Sequence, residues 1–245
     1  MDFHGKIIVV TGAAQGLGAA ISRRFLEDGA AGVAMLDLKE EVVKAAADSM
    51  DPSGARVLAI SCNVADPDSV QEAFRQVYER FGRVDVLVNN AGITRDAMAH
   101  KMTAEQFDAV LKVSLYGTFY CVQQVICQMR EQKSGRIISM SSLAHRGNIG
   151  QANYSAAKAG IIGLTKTLAM ELGPKNITVN CIAPCIAKTD IVKTMPEKVY
   201  NDMVNMIPLR RAGEPEEIAS LVAYLASDEA AYISGQCINI SGGWW

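Results

Sequence analysis

The chain has 245 residues, 49% hydrophobic and 20% charged, with 24 Lys and Arg against 26 Asp and Glu. That composition suits one large α/β domain with ample core and excludes a disordered chain. A net charge of −2 offers no basic footprint for nucleic acid, and no apolar run approaches the roughly 20 residues that span a bilayer.

The N-terminus moves straight into a strand-like run without a signal-peptide layout. Six cysteines (62, 121, 127, 181, 185 and 237) contain no CxxC pair. They read as reduced, buried thiols of a cytoplasmic protein, with no disulfide and no metal site.

Residues 6–11 form a continuous apolar run, as in a strand buried on both faces of a parallel sheet. Gly12, Gly16 and Gly18 follow, then a helical pattern with Ala20, Ile21, Phe25 and Leu26 apolar. In that setting Gly12 permits a tight turn, Gly16 lets backbone approach a phosphate, and Gly18 permits close helix–sheet packing. The N–H groups of the helix start are then available to a pyrophosphate. No Gly-Lys-Ser/Thr follows, which excludes a lysine-containing P-loop.

A second strand, 32–37, ends in Asp37, 19 residues after Gly18. A dinucleotide fold places a carboxylate there to bond the adenosine ribose hydroxyls. The same carboxylate repels a 2′-phosphate, and neither Gln15 nor Leu38 is an arginine that would receive one. NAD(H) is therefore favoured over NADP(H). The plainer use of Asp37 is as an N-cap for the helix that follows.

Further strands are expected at 56–62, 84–88, 135–142, 177–182 and 236–240. Helices are expected at 39–50, from Asp66-Pro67 to 82, at 103–130, from Tyr154 to 172, and at 214–227. This alternation with short loops predicts a doubly wound, Rossmann-like parallel sheet of seven strands with helices on both faces, in a single domain over 1–245. Residues 189–208 read as a mobile segment with Met195, Met203 and Met206, suited to an adaptable substrate lid.

Within 151–158, Tyr154 and Lys158 stand four apart in a run of helix formers, one above the other on one face. A free tyrosine titrates near ~10. A lysine cation one turn away stabilises the phenolate and draws that pKa toward the working range. The plainer alternative is a packed tyrosine at a helix start above a solvated lysine.

Taken together, Thr11-Gly12-x-x-x-Gly16-x-Gly18, Asn89-Asn90-Ala91-Gly92, Ser142, Tyr154-x-x-x-Lys158 and Pro184-x-x-x-x-Thr189 resemble the short-chain dehydrogenase/reductase family from end to end. The phrases at 150–154 and 225–235 are most similar to β-ketoacyl carrier-protein reductases and 3-hydroxyacyl-CoA dehydrogenase-like members. The resemblance implies hydride transfer between a nicotinamide and a secondary alcohol or ketone, with a small molecule or an acyl thioester as substrate. It implies that Tyr154 exchanges the proton, that Lys158 lowers the tyrosine pKa and holds the nicotinamide ribose, and that Ser142 bonds the substrate oxygen. Around the cofactor it places Gly12, Gln15, Gly16, Leu17, Gly18, Asp37, Leu38, Asn63, Val64, Asn90, Ala91 and Gly92, with Asn63 beside adenine. Pro184, Ile186 and Thr189 fall at the carboxamide.

This chain departs from the family at three points. Ser114 stands where the family has a catalytic asparagine, and Cys185 where a glycine usually follows the proline. The Ser142–Tyr154 interval is one residue shorter, so the loop with His145 and Arg146 is expected to be reshaped. Those two residues, with Arg95 and Met195, are the candidate substrate contacts. The family also implies a tetramer, homomeric or paired with a homologous subunit, formed through the long helices, the 214–227 helix and the last strand. A competing reading is a catalytically impaired subunit that binds nucleotide and supports a partner. Ser114 and Cys185 favour it mildly; Ser142, Tyr154 and Lys158 oppose it.

Overall fold

The structure, a computed structural model, describes residues 1–189 and 197–244. Seven strands form one parallel sheet in the order β3-β2-β1-β4-β5-β6-β7. They are β1 (Ile7–Thr11), β2 (Gly32–Asp37), β3 (Val57–Ser61), β4 (Val86–Asn89), β5 (Gly135–Met140), β6 (Ile177–Pro184) and β7 (Cys237–Ile240). Strand residues alternate between the two faces, so each face has its own apolar layer. Ile8, Val10 and Met35 pack with Phe25 and Val222 on one side. Val9, Leu36 and Leu87 pack with Phe74 and Val125 on the other. Strands buried on both faces need the continuous apolar runs seen in the sequence.

The crossovers are α1 (Gly16–Glu27), α2 (Glu40–Met50), α3 (Pro67–Phe81), α4 (Ala104–Leu111), α5 (Gly117–Gln132), α6 (Ala152–Leu172), α7 (Glu197–Met206) and α8 (Pro215–Ala226). Their limits follow local chemistry. Asp66 accepts the Asp68 N–H ahead of Pro67 at the start of α3, and Gly82, at φ 74°, ends it. Thr103 and Gln106 close a capping box on α4.

Two elements differ from expectation. The long helix over 103–130 is divided, because a π turn over Lys112–Tyr116 separates α4 from α5. Strand β5 stops at Met140, since Ser142 caps a 3-10 turn over Leu143–Arg146 instead of continuing the ladder. Within 189–208, read above as a lid segment, lies α7, on which no residue is buried; Met195 lies outside the described residues. All six cysteines are free, but Cys127 is exposed on the outer side of α5. The expectation of buried thiols therefore fails there.

Strand order reverses between β1 and β4, so the connections after these strands diverge and leave a crevice at their carboxyl ends. No helix among the described residues is long and apolar enough to cross a membrane.

Candidate active site

The crevice begins at the glycine turn after β1. Gly12 takes φ +62°, and a Cβ there would meet Ala91 Cα at 2.9 Å. At Gly18 an added Cβ would lie 2.0 Å from the Gly12 carbonyl oxygen, so only glycine lets α1 pack this tightly. Gly16, at φ +56°, instead faces Thr189, whose Cγ2 would lie 3.4 Å away. Leu17 is half-buried beside it and Gln15 is exposed. No side chain caps the start of α1 at Gln15, which leaves the helix-start N–H groups and the positive end of the dipole turned to the crevice.

The turn is locked from β4. Asn90 Nδ2 donates to the carbonyls of Thr11 (3.0 Å) and Gly12 (2.9 Å), while Thr11 Oγ1 accepts the N–H groups of Asn90 and Ala91. Asn90 thus holds the turn rather than leaving its amide free for a ligand. At the end of β2, Asp37 Oδ2 accepts the Ala14 N–H at 3.0 Å, leaving the other carboxylate oxygen available, with Leu38 exposed beside it. Asn63 Oδ1 accepts the Ala65 N–H at 3.1 Å, and Val64 is buried against Gly117 of α5. These residues fit a dinucleotide: an uncapped helix start, a turn that admits only glycine, and a carboxylate at the far end.

The opposite wall comes from β5, the π turn and α6. Lys158 is 3% exposed, and its Nζ donates to the Met140 carbonyl at 2.6 Å. Ser141 Oγ donates to the Lys158 carbonyl at 2.8 Å, tying α6 to the end of β5. Lys158 Nζ lies 5.4 Å from the Tyr154 ring centroid. A Cβ on Gly92 would stand 3.4 Å from this Nζ and 3.5 Å from Ser114 Oγ, which brings the three residues together. Ser114 Oγ is fully buried without a hydrogen-bond partner. The serine therefore does not bend the helix by bonding back to a carbonyl one turn earlier, yet the π turn is present. The Ser114 carbonyl accepts Thr118 Oγ1 at 2.8 Å.

The electrostatics correct one expectation. The Tyr154 pKa is raised, first by burial; a hydrogen bond from Ser142 acts against this, and the Asp96 carboxylate adds to it. No lowering by Lys158 is among these causes, although Lys158, its own pKa lowered by burial to about 8, still carries its charge at neutral pH.

On the β6 side, the Ile186 carbonyl accepts the Gly213 N–H at 3.0 Å, and the Cys185 N–H donates to Ile240. Cys185 has no positive φ, so the cysteine takes this place without the glycine's conformational freedom. Among the candidate substrate contacts, His145 is half-buried, with Nδ1 2.7 Å from the Ser142 carbonyl. Arg146 and Arg95 are exposed, and Arg95 Nη1 donates to the Thr94 carbonyl. Sequence reasoning gave no role to Thr11, Asp96, Asn153 or the Met140 carbonyl. Asn153, beside the tyrosine, was open to suspicion as a polar residue in an apolar helix start; a main-chain carbonyl leaves no signal in sequence.

A family model described as enoyl-(acyl carrier protein) reductase matches residues 12–245. The chain is 43% identical over 244 residues to the 3-oxoacyl-[acyl-carrier-protein] reductase FabG of Thermotoga maritima, covering 99% of both. It is 38% identical over 243 residues to the (2S)-[(R)-hydroxy(phenyl)methyl]succinyl-CoA dehydrogenase subunit BbsD of Thauera aromatica, covering 99% of this chain and 98% of that one. The crystal structure of gox2181 matches with a TM-score of 0.95 at 34% identity, covering 99% of this chain and 96% of that one. With its seven-stranded parallel sheet, glycine turn and Tyr154–Lys158 helix, the chain belongs to the short-chain dehydrogenase/reductase family.

Proposed function

We propose that this chain is an NAD(H)-dependent oxidoreductase that interconverts 3-oxoacyl and 3-hydroxyacyl thioesters carried on CoA or an acyl carrier protein. The observation that carries the reading is the gathering of Ser142, Tyr154 and Lys158 on one wall of a crevice whose other wall is the glycine turn. The thioester class is supported by the reductase from Thermotoga and the CoA-thioester dehydrogenase subunit from Thauera.

A nicotinamide dinucleotide, when bound, supplies or takes up the hydride. The helix start at Gly16–Gly18, on the turn that Asn90 locks, would hold its phosphates, Asp37 would hold the ribose, Asn63 and Val64 would line the base, and Pro184, Ile186 and Thr189 would hold the carboxamide. Tyr154 gives its proton to the substrate oxygen in reduction and recovers it in oxidation. A raised pKa keeps the phenol protonated at neutral pH, the state that reduction requires. Ser142 donates to the same oxygen and offsets the charge that develops there. Lys158 contributes a cation next to both groups.

Residues 1–245 act as one domain, with 189–208 as a lid whose Met206 is exposed. Arg95, His145 and Arg146 receive an anionic part of the substrate. The protein is cytoplasmic, as its free thiols suit, and tetrameric, homomeric or paired with a homologous subunit. Exposed Tyr116, Phe119 and Met170 then meet partner helices; sedimentation as a monomer would exclude the tetramer.

The test is a screen of 3-oxoacyl and 3-hydroxyacyl thioesters against free short-chain ketones and alcohols, following the absorbance of the reduced nucleotide. Thioesters are expected to be turned over with the higher kcat/KM; equal efficiency with free alcohols counts against the substrate class. Cofactor titrations should favour NADH over NADPH, because a 2′-phosphate meets the Asp37 carboxylate at a cost of a few kcal/mol. Asp37→Ala should narrow that preference, and tighter NADPH binding by the wild type would sink it.

Ser114 follows from the same reading. The π turn persists with serine, and the family resemblance gives the asparagine's part to a main-chain carbonyl that any residue supplies, so Ser114→Asn and Ser114→Ala should each change kcat less than roughly tenfold, about 1.4 kcal/mol in barrier. A very large gain from Ser114→Asn would instead mark the natural protein as catalytically impaired.

A further inference from the structure

Helix α6 begins at Ala152 after Gln151, whose side chain makes no capping bond. The N–H groups of its first turn therefore need partners from elsewhere. The Tyr154 N–H finds one in its neighbour, donating to Asn153 Oδ1 at 2.8 Å. Asn153 is 0% exposed. Its Nδ2 donates to the Arg95 carbonyl at 2.9 Å and to the Gln106 carbonyl at 3.0 Å. Both amide hydrogens and one oxygen lone pair are used, and the assignment is unambiguous. A flipped amide would set its oxygen against two carbonyls and its nitrogen against an N–H.

One side chain thus joins three pieces of backbone: the start of α6, the first turn of α4, and the segment that leaves the Asn90–Gly92 turn. Two contacts run parallel to it. The Ala97 N–H donates to the Gly150 carbonyl at 2.9 Å, and Gln151 Nε2 donates to Asp96 Oδ2 at 3.0 Å.

We propose that Asn153 is a positioning residue that sets the Tyr154 phenol against Ser142 by clamping the start of α6 to Arg95 and to Gln106 of α4. The inference rests on the reading of Tyr154 as the proton-exchanging group. No other residue type satisfies the three partners. Aspartate keeps the acceptor but, when ionised, donates nothing to two carbonyls. Glutamine is one carbon too long, and alanine removes the partner from all three groups. The acid-base step is sensitive to such a loss, because a displacement of about 1 Å at the reacting group costs on the order of 10²-fold in rate.

The test compares Asn153→Ala and Asn153→Asp with the wild type, each checked for folding by thermal melting and for nucleotide affinity by fluorescence titration. Asn153→Ala should lower kcat on the order of 10²-fold with nucleotide affinity close to wild type, since the glycine turn and Asp37 are not among its contacts. Asn153→Asp should recover activity as pH falls. Protonation turns its carboxylate into a donor for one of the two carbonyls and keeps the other oxygen for the Tyr154 N–H. A packing role alone predicts no such pH-dependent rescue.

Asn153→Ala within about threefold of wild-type kcat overturns the proposal. So does an Asn153→Asp profile that runs parallel to the wild type, and this arm decides the matter if the alanine variant does not fold. Tyr154→Phe separates the two levels of inference. If it retains activity, the proton-exchange reading itself fails; if it is inactive while Asn153→Ala is fully active, only the clamp fails.

Discussion

Tyr154→Phe is expected to lose turnover on the order of 10²–10⁴-fold, the span attributed to one general acid-base group, and to bind nucleotide as the wild type does. The substitution deletes one oxygen. The ring stays in its place beside Lys158, whose Nζ is 5.4 Å from the centroid, and Asn153 still receives the main-chain N–H. What disappears is the transferable proton and the polar influence of Ser142 on the phenol. Steady-state kinetics with a 3-oxoacyl thioester and a parallel nucleotide titration check both halves. Retention of a tenth or more of the wild-type kcat would mean that the proton comes from elsewhere.

Lys158→Met should be as damaging to activity, with an opposite sign in stability. Burial lowers the Lys158 pKa from 10.5 to about 8, so below about pH 8 the folded protein holds a buried ammonium. Between about 8 and 10.5 the folded state sheds this proton while the unfolded state keeps it. The unfolded state then binds more protons, and stability rises with pH across that window. The cost below the window is on the order of 3 kcal/mol. Against it stands the Met140 carbonyl, which loses its 2.6 Å donor in the variant, a loss of about 1–3 kcal/mol.

The melting temperature of Lys158→Met at neutral pH should therefore equal or exceed that of the wild type, with the advantage shrinking as pH rises above about 8. Wild-type ketone reduction, which needs the cation, should decline as pH passes about 8. A variant that melts well below the wild type at neutral pH would show the lysine to be net stabilising, and a rate flat through this range would show its charge to be dispensable.

Much of this was legible from sequence because it depends on local chemistry. An apolar run such as 6–11 is what a strand buried on both faces requires. Gly12, Gly16 and Gly18 announce a turn because two of them take positive φ and the third admits no Cβ. The four-residue spacing of Tyr154 and Lys158 fixes their relation on any helix, and Asp37 marks the end of β2 by position alone. Strand limits and the divided helix were less legible. Where β5 ends depends on Ser142 turning to cap the next segment. No residue preference over Lys112–Tyr116 announces the π turn that divides the helix there.

The chain order alone established the parallel sheet, the glycine turn and the helix that carries Tyr154 and Lys158, since each is a property of neighbouring residues. Tertiary structure alone decided the direction of the Tyr154 pKa, because burial and the nearby Ser142 and Asp96 depend on how the chain folds back on the start of α6. It also decided that Asn90 locks the glycine turn and that Asn153 joins Arg95, Gln106 and Tyr154, since both amides reach carbonyls dozens of residues away, a distance over which sequence spacing carries no geometry.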